Sequence, residues 1–403
     1  MLAEKNLKKK RNNTSEPIRI GYSLSLTGPV AENTKVARLI HKIWERNTNE
    51  NGGLLGRDVE LICFDDKGSA AEVQAIYRQF LDDEKIDLVI GGYGTNTLKA
   101  SMPLVMEQEK LLIGLMGLGV NGEFNYPHYF AMIPTGPKPN TALTEGFFEL
   151  AASQHPKPTT VAILSAQAEF SKNPVIGAIV NATKYGFQVI HQQTYPLSTT
   201  DFTAIIGEIE NIDADILFIC SYLNDSIGII KAIKKASYRP KMVGGAMIGP
   251  QSSSVKSELG PLLNGFVNYE YWAPVAKMNF DGVSEVLEEY QKLAKEEKTD
   301  ALGFYVAPLA YAQMQILEQA IKATGSLEDK ILSEYCNSNQ FETVMGSIRF
   351  GKNGEWDQAR VLQVQYQNIE SENIEFFKEN RAQVVVSPES YVSDDLSYPF
   401  SGE

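Results

Sequence analysis

Positive charge is in short supply here: 37 lysines and arginines stand against 50 aspartates and glutamates, a net charge of −13. A protein that holds nucleic acid needs a basic stripe to neutralise phosphates. The one dense basic cluster is Lys5–Arg11, at the start of the chain. Short basic ends belong to tails, so residues 1–16 are expected to form a disordered tail and no nucleic acid is expected as a partner. Long apolar runs are also missing. The fullest, "LLIGLMGLGV" (Leu111–Val120), carries three glycines and is half of the ~20 residues that a membrane helix needs. No direct membrane insertion is expected.

Cysteine and histidine are scarce as well. Cys63, Cys220 and Cys336 make an odd count with no C-x-x-C spacing, which excludes a disulfide framework. Cys63 and Cys220 lie in the apolar runs "LICFD" and "LFICS", the setting of a buried free thiol. The four histidines are scattered, so no metal site and no cofactor are expected. No G-x-S-x-G elbow is present. The paired aspartates (Asp65-Asp66, Asp82-Asp83, Asp394-Asp395) fall at element ends, where solvated carboxylates are ordinary. No catalytic residue is assigned, and the chain is not expected to be an enzyme.

What is present is a repeating rhythm. "IRIGYSLSL" (Ile18–Leu26) reads as a strand, and "KVARLIHKIWERN" places Val36, Leu39, Ile40, Ile43 and Trp44 at helical spacing. "NGG" (Asn51–Gly53) stops that helix. The strand "DVELICFDD" follows, then a helix opening with Ser69 and Glu72 at capping-box spacing. Strands at Ile86–Ile90 and Leu111–Leu115 come next. Proline-rich "IPTGPKPN" (Ile133–Asn140) breaks the rhythm, which restarts with "TTVAILS" (Thr159–Ser165), "FQVIHQQTYP", "ADILFICSY" and "KMVGGAM".

Alternating strands and helices argue for an α/β fold of two doubly wound parallel-sheet lobes joined by a multi-strand hinge, with a ligand cleft between them. The first lobe is expected to hold residues 17–136 and 273–345, and the second 137–268 and 346–403. "SIRFGKNGEWDQARVLQVQYQN" is expected to form a closing hairpin with Asn353-Gly354 as its turn.

One loop stands out. In "IGGYGTNTLKAS" (Ile90–Ser101) three of the first five residues are glycine, between a strand and a helix. A nucleotide is a poor fit: a phosphate-binding P-loop needs a lysine directly after its last glycine, and a dinucleotide fingerprint needs a third glycine. What remains is a helix N-terminus, which favours a carboxylate or carbonyl oxygen. The alternative is that Thr95 or Asn96 simply caps the helix. Tyr93, Phe170, Tyr222, Tyr269, Tyr271 and Trp272 each follow an expected strand, and their convergence on a cleft suits a small ligand.

Taken together, "IRIGYSLSLTGPVA", "NENGGLLGRDVELICFDDKGSAAEV", "DLVIGGYGTN", "LGPLLNGFVNYEYW" and "GKNGEWDQARVLQVQYQN" resemble the type I periplasmic binding proteins. Within them the likeness is to the branched-chain-amino-acid class of ABC-transporter substrate-binding proteins, from about Ile18 to about Pro399. The resemblance implies a solute carrier that closes about its hinge and delivers to the membrane subunits of an ABC permease. It implies a ligand carboxylate held at the loops matching Gly92–Thr97 and Met116–Gly119. The ligand residues are then Tyr93, Thr95, Asn96, Met116, Gly117 and Leu118, with Leu26 at the first turn. Phe170 and Tyr222 match second-lobe contacts that cover the ligand.

The turn "GGAMIG" (Gly244–Gly249) matches the segment where amino-acid-binding members set an acidic residue against the α-ammonium. Ala246 and Met247 stand there instead, and an unpaired buried ammonium costs several kcal/mol. Asp225 or Glu270 could substitute, although Asp225 could equally cap the next helix. The expected ligand is therefore a carboxylate or amide with an aromatic or aliphatic body, bound by a monomer or weak dimer. A periplasmic location is implied. "NNTSEP" follows the basic start where a secretory signal has its apolar region, so the expectation is a trimmed signal or misassigned start. The alternative is a cytosolic amide-sensing regulator of the same fold, acting through a partner protein.

Overall fold

The computed structural model describes residues 16–402 other than 84 and 380, so Lys5–Arg11 and nearly all of the expected tail lie outside the described residues. The first lobe begins with β1 (Ile18–Leu24), an apolar run buried along almost its whole length, as a strand covered on both faces must be. It lies between β2 (Val59–Asp65) and β3 (Leu88–Val89), parallel to both. β4 (Leu112–Gly114) and β5 (Tyr129–Ala131) pair in parallel, and a bridge from Tyr93 to Leu115 joins them to the end of β3. The connecting helices are α1 (Ala31–Glu50), α2 (Ala70–Asp82), α3 (Thr95–Glu107) and the single turn α4 (Asn121–Phe124). Val36, Leu39, Ile40, Ile43 and Trp44 form the buried stripe of α1, and Ser69 caps α2 by accepting the Glu72 N–H.

The second lobe holds α5 (Pro139–Ala152), β6 (Thr160–Ala166), α6 (Glu169–Lys184), β7 (Gln188–Tyr195), α7 (Thr203–Ile212), β8 (Ile216–Ser221), α8 (Leu223–Lys235), β9 (Met242–Met247), α9 (Ser253–Leu259) and β10 (Val267–Glu270). The chain then returns to the first lobe through α10 (Val283–Glu297), α11 (Ala307–Thr324) and α12 (Asp329–Ser338). There the buried Gln313 of α11 donates to the carbonyls of Gly91 and Ile113 at 2.9 and 2.7 Å, which fixes the strand ends beneath the glycine loop. Its amide oxygen faces His41 Nε2 at 3.1 Å.

The expected closing hairpin divides between the lobes. β11 (Gln340–Thr343) pairs with β12 (Gly346–Arg349), and Phe350 packs on Phe130 with ring centroids 5.0 Å apart. Asn353-Gly354 does turn the chain between Phe350 and Trp356. Gly354 is pressed so closely on Tyr129 that a Cβ would stand 1.8 Å from its carbonyl oxygen. This stretch is thus bound to the first lobe, beyond the expected boundary at 345/346. The crossing comes later, where the Arg360 N–H donates to Pro134 O at 2.7 Å and so ties this crossing to the one near Ile133. β13 (Leu362–Tyr366) and β14 (Gln383–Ser387) then complete a seven-stranded sheet, β14-β13-β10-β9-β8-β6-β7, with β13 antiparallel to both of its neighbours.

Candidate functional site

In open parallel sheets ligands bind beyond the carboxyl ends of the strands, and here both sheets turn those ends toward one cavity of about 420 Å³. Ser25 follows β1, Gly68 follows β2, and Tyr93–Thr97 follow β3. Met116 and Leu118 follow β4, and Ile133 follows β5. From the second lobe come Phe170 after β6, Leu197 after β7, Tyr222 and Asp225 after β8, and Ile248 after β9. Tyr271, just past β10, and Tyr305, just before α11, also line it. A hollow of about 710 Å³ between α6 and β7 is wider. It opens to solvent on one lobe only, so it lacks the convergence of elements that marks the interlobe cavity.

Each glycine of the loop has its own reason. A Cβ on Gly91 would stand 2.7 Å from Gly114 Cα, and one on Gly92 would stand 2.2 Å from Ser23 O. These two let the loop lie flat on neighbouring strand ends. Gly94 has φ +98° and is the N-cap of α3, with no side-chain cap. The alternative, in which Thr95 or Asn96 caps the helix, is therefore not what forms. Thr97 spends its hydroxyl on the carbonyls of Tyr93 and Gly94, which leaves the first-turn N–H groups without an intrahelical partner. The Thr95 hydroxyl accepts the Leu118 N–H at 3.1 Å, so its own proton is free to be donated. Met116 is held at φ +60°, a conformation non-glycine residues adopt rarely and most often at sites.

The walls are aromatic. Tyr93 is buried and its hydroxyl accepts Asn33 Nδ2 at 3.0 Å. Burial pushes its ionisation up to about 12, so it stays a neutral phenol. Tyr271 and Tyr305 stack with centroids 5.9 Å apart, and the Tyr305 and Tyr269 hydroxyls meet at 3.0 Å. The only formally charged side chain among the lining residues is Asp225. One of its oxygens accepts the Tyr222 N–H at 2.8 Å and the other accepts the Tyr195 hydroxyl at 2.6 Å. This is the N-terminal capping box of α8.

The structure brings Tyr93, Thr95, Asn96, Met116, Leu118, Phe170 and Tyr222 to one cavity, and Leu26, Gly117, Ala246 and Met247 are not among its lining residues. Leu26 packs against the core. Gly117 backs the loop, where a Cβ would meet Leu98 at 2.3 Å. Ala246 and Met247 belong to the buried strand β9, and both backbone groups of Met247 bond the Asn268 side chain. The strand ends at Met247, as expected, and the next residue, Ile248, is the one that reaches the ligand space; it too is apolar. Glu270 lies buried and away from the cavity, where Gln383 Nε2 donates to it at 3.1 Å. Burial pushes its carboxyl up to about 8, against the pull of Lys256. Tyr305 precedes a helix rather than follows a strand, so no local pattern in the sequence marks it. Among the described residues no cluster of His, Cys, Asp and Glu could hold a metal. Nor is any helix long and apolar enough to cross a membrane.

Known proteins carry the same architecture. A binding protein of an ABC transporter from Rhodopseudomonas palustris BisB5, in complex with 3,4-dihydroxybenzoic acid, superimposes with a TM-score of 0.72 at 15% identity, covering 89% of this chain and 95% of that one. The branched-chain amino acid transporter substrate-binding protein of Streptococcus pneumoniae, in complex with isoleucine, gives 0.72 at 16% identity, covering 93% and 100%. In sequence, Leu/Ile/Val-binding protein homolog 8 of Brucella abortus is 24% identical over 222 residues, and the match spans 53% of each chain. The chain thus matches about half the length of that relative. The family model described as periplasmic binding protein matches residues 17–367. The chain belongs to the periplasmic binding protein family.

Proposed function

We propose that this protein is the solute-binding component of an ABC importer. It captures a small carboxylate- or amide-bearing molecule with an aromatic or aliphatic body, closes about its hinge, and presents the solute to permease subunits from the periplasmic side. The observation that carries this reading is the pairing of an uncapped helix end with aromatic walls in one cavity. The first-turn N–H groups of α3 and the Thr95 hydroxyl are donors aimed at an oxygen, and a helix N-terminus favours negative charge. Phe170, Tyr222, Tyr271 and Tyr305 enclose the body. No lining residue carries positive charge, so the head group is met by N–H and O–H donors alone.

An α-ammonium finds little here. Ile248 is apolar, and the Asp225 oxygens are already engaged by Tyr195 and Tyr222. The two solved relatives carry a hydroxylated benzoic acid and isoleucine, which span the two ligand types to be told apart. The transport role rests on the same likeness, and no observation on this chain favours the regulator. A thermal-shift screen of aromatic acids, aliphatic acids, amides and amino acids tests the reading. A true ligand at 100 times its Kd adds about 2.7 kcal/mol of stability. Stabilisation by an acid or amide is the expected result, and stabilisation by none of the classes would overturn it.

A further inference from the structure

The two lobes hold each other at the rim of the cavity through groups that leave the ligand space free. Thr95 and Lys99 are four residues apart on α3, as Glu169 and Asn173 are on α6, and such pairs share one helix face. The two faces meet. Lys99 Nζ lies 3.0 Å from Glu169 Oε1, and the two side chains are 19% and 30% exposed. Asn173 Nδ2 donates to Leu118 O at 2.9 Å, and the N–H of the same Leu118 donates to Thr95 Oγ1. One peptide segment of the first-lobe loop is thereby held from both sides. Its carbonyl is gripped by the second lobe and its N–H by the residue that faces the ligand head.

We propose that Asn173 and the Lys99–Glu169 pair form a clasp that couples head-group recognition at Thr95 to lobe closure, through Leu118. The coupling half rests on the functional reading above; the clasp does not. A ligand that draws the Thr95 hydroxyl toward itself fixes Leu118, and a fixed Leu118 carbonyl is the acceptor that Asn173 needs. Asn173 is thus a positioning residue for binding. Because the clasp touches no ligand atom, it changes the population of the closed state and scales every ligand's affinity alike.

Distances between spin labels on exposed positions of the two lobes, Gln74→Cys and Thr183→Cys, test the clasp in the full chain without any ligand. Cys220 and Cys336 are buried, and the half-buried Cys63 is replaced by serine in the parent and in every variant, so labelling is confined to the introduced sites. Asn173→Asp replaces a donor by an acceptor of the same shape, and Lys99→Ala removes the partner from the other lobe. Both should lengthen the separation relative to the parent. Unchanged distributions in both variants would overturn the clasp. For each acid or amide that stabilises the parent, Asn173→Asp should raise Kd by a common factor of about five, the equivalent of one hydrogen bond, with the ligand order kept. A reordering of ligands would make Asn173 a direct ligand contact and overturn the coupling. If no acid or amide binds the parent, the functional reading fails, and the label distances still decide the clasp.

Discussion

Phe170 and Tyr222 meet edge to face, their ring centroids 6.2 Å apart and their planes at 80°. Together they make one wall of the cavity from two separate strand ends of the second lobe. A ligand drives closure only through contacts that improve in the closed state, and in the proposed function this wall supplies them. Phe170→Ala should weaken binding by about 1.5–3 kcal/mol, the worth of a buried large apolar side chain, and Phe170→Leu should recover part of it. Titration calorimetry on the three proteins checks this; equal affinities would remove Phe170 from the site.

At the opposite wall, Thr95→Ala should cost about 1–2 kcal/mol of binding if its hydroxyl donates to a charged oxygen. Thr95→Ser keeps the hydroxyl and should bind nearly as the parent does. The comparison of Ser with Ala separates the hydroxyl from the methyl group, and identical losses in both would contradict the assigned donor.

Asp225 distinguishes ligand classes. Asp225→Asn removes the one negative charge of the cavity lining but keeps an oxygen for the α8 cap. Affinity for an anionic acid without an ammonium group should hold or rise. A loss confined to amino acids would mean that Asp225 pairs an ammonium, and would place amino acids among the true ligands.

Much of this was readable from residues. The strand–helix alternation follows from hydrophobic period, and α1 buries the stripe that its spacing predicts. The glycine loop was recognisable as a strand-to-helix turn, but its glycines serve contacts with Ser23 and Gly114 that come from strands distant in sequence. The division of the last hairpin could not be read, because it depends on Gly354 seating against Tyr129. Ala246 and Met247 end the expected strand and pair with Cys220 and Ser221 of β8, so the resemblance that set them in the ligand turn placed the contact one residue too early. The clasp between Asn173 and Leu118 joins residues 55 positions apart, and no local pattern announces it.

Glu355 gives a pH prediction. Neither of its oxygens has a hydrogen-bond partner among the described residues, and burial raises its carboxyl from 4.5 to about 8. Between those values the folded chain holds a proton that the unfolded chain releases, so this group's contribution to stability falls as pH rises toward 8. His41 acts in the opposite sense. Burial lowers it from 6.5 to about 4, so its contribution grows between those values. From pH 6.5 to 8 His41 no longer contributes to the change, and Glu270, whose carboxyl burial also raises, is common to both proteins and cancels in the comparison of Glu355→Gln with the parent. Across this window the thermal stability of Glu355→Gln should gain on the parent by about 1–2 kcal/mol. Parallel melting curves at the two pH values would place the Glu355 proton outside this range.

The central claim is that the cavity takes an oxygen-bearing head at the α3 end and an uncharged body. Isothermal titration of the parent protein with benzoate, 3,4-dihydroxybenzoate, short aliphatic acids and their amides, beside leucine and isoleucine, addresses it most directly. Saturable binding of one or more acids or amides, tighter than that of either amino acid, is the predicted result. Tight binding of leucine or isoleucine, with none by the acids or amides, would contradict it.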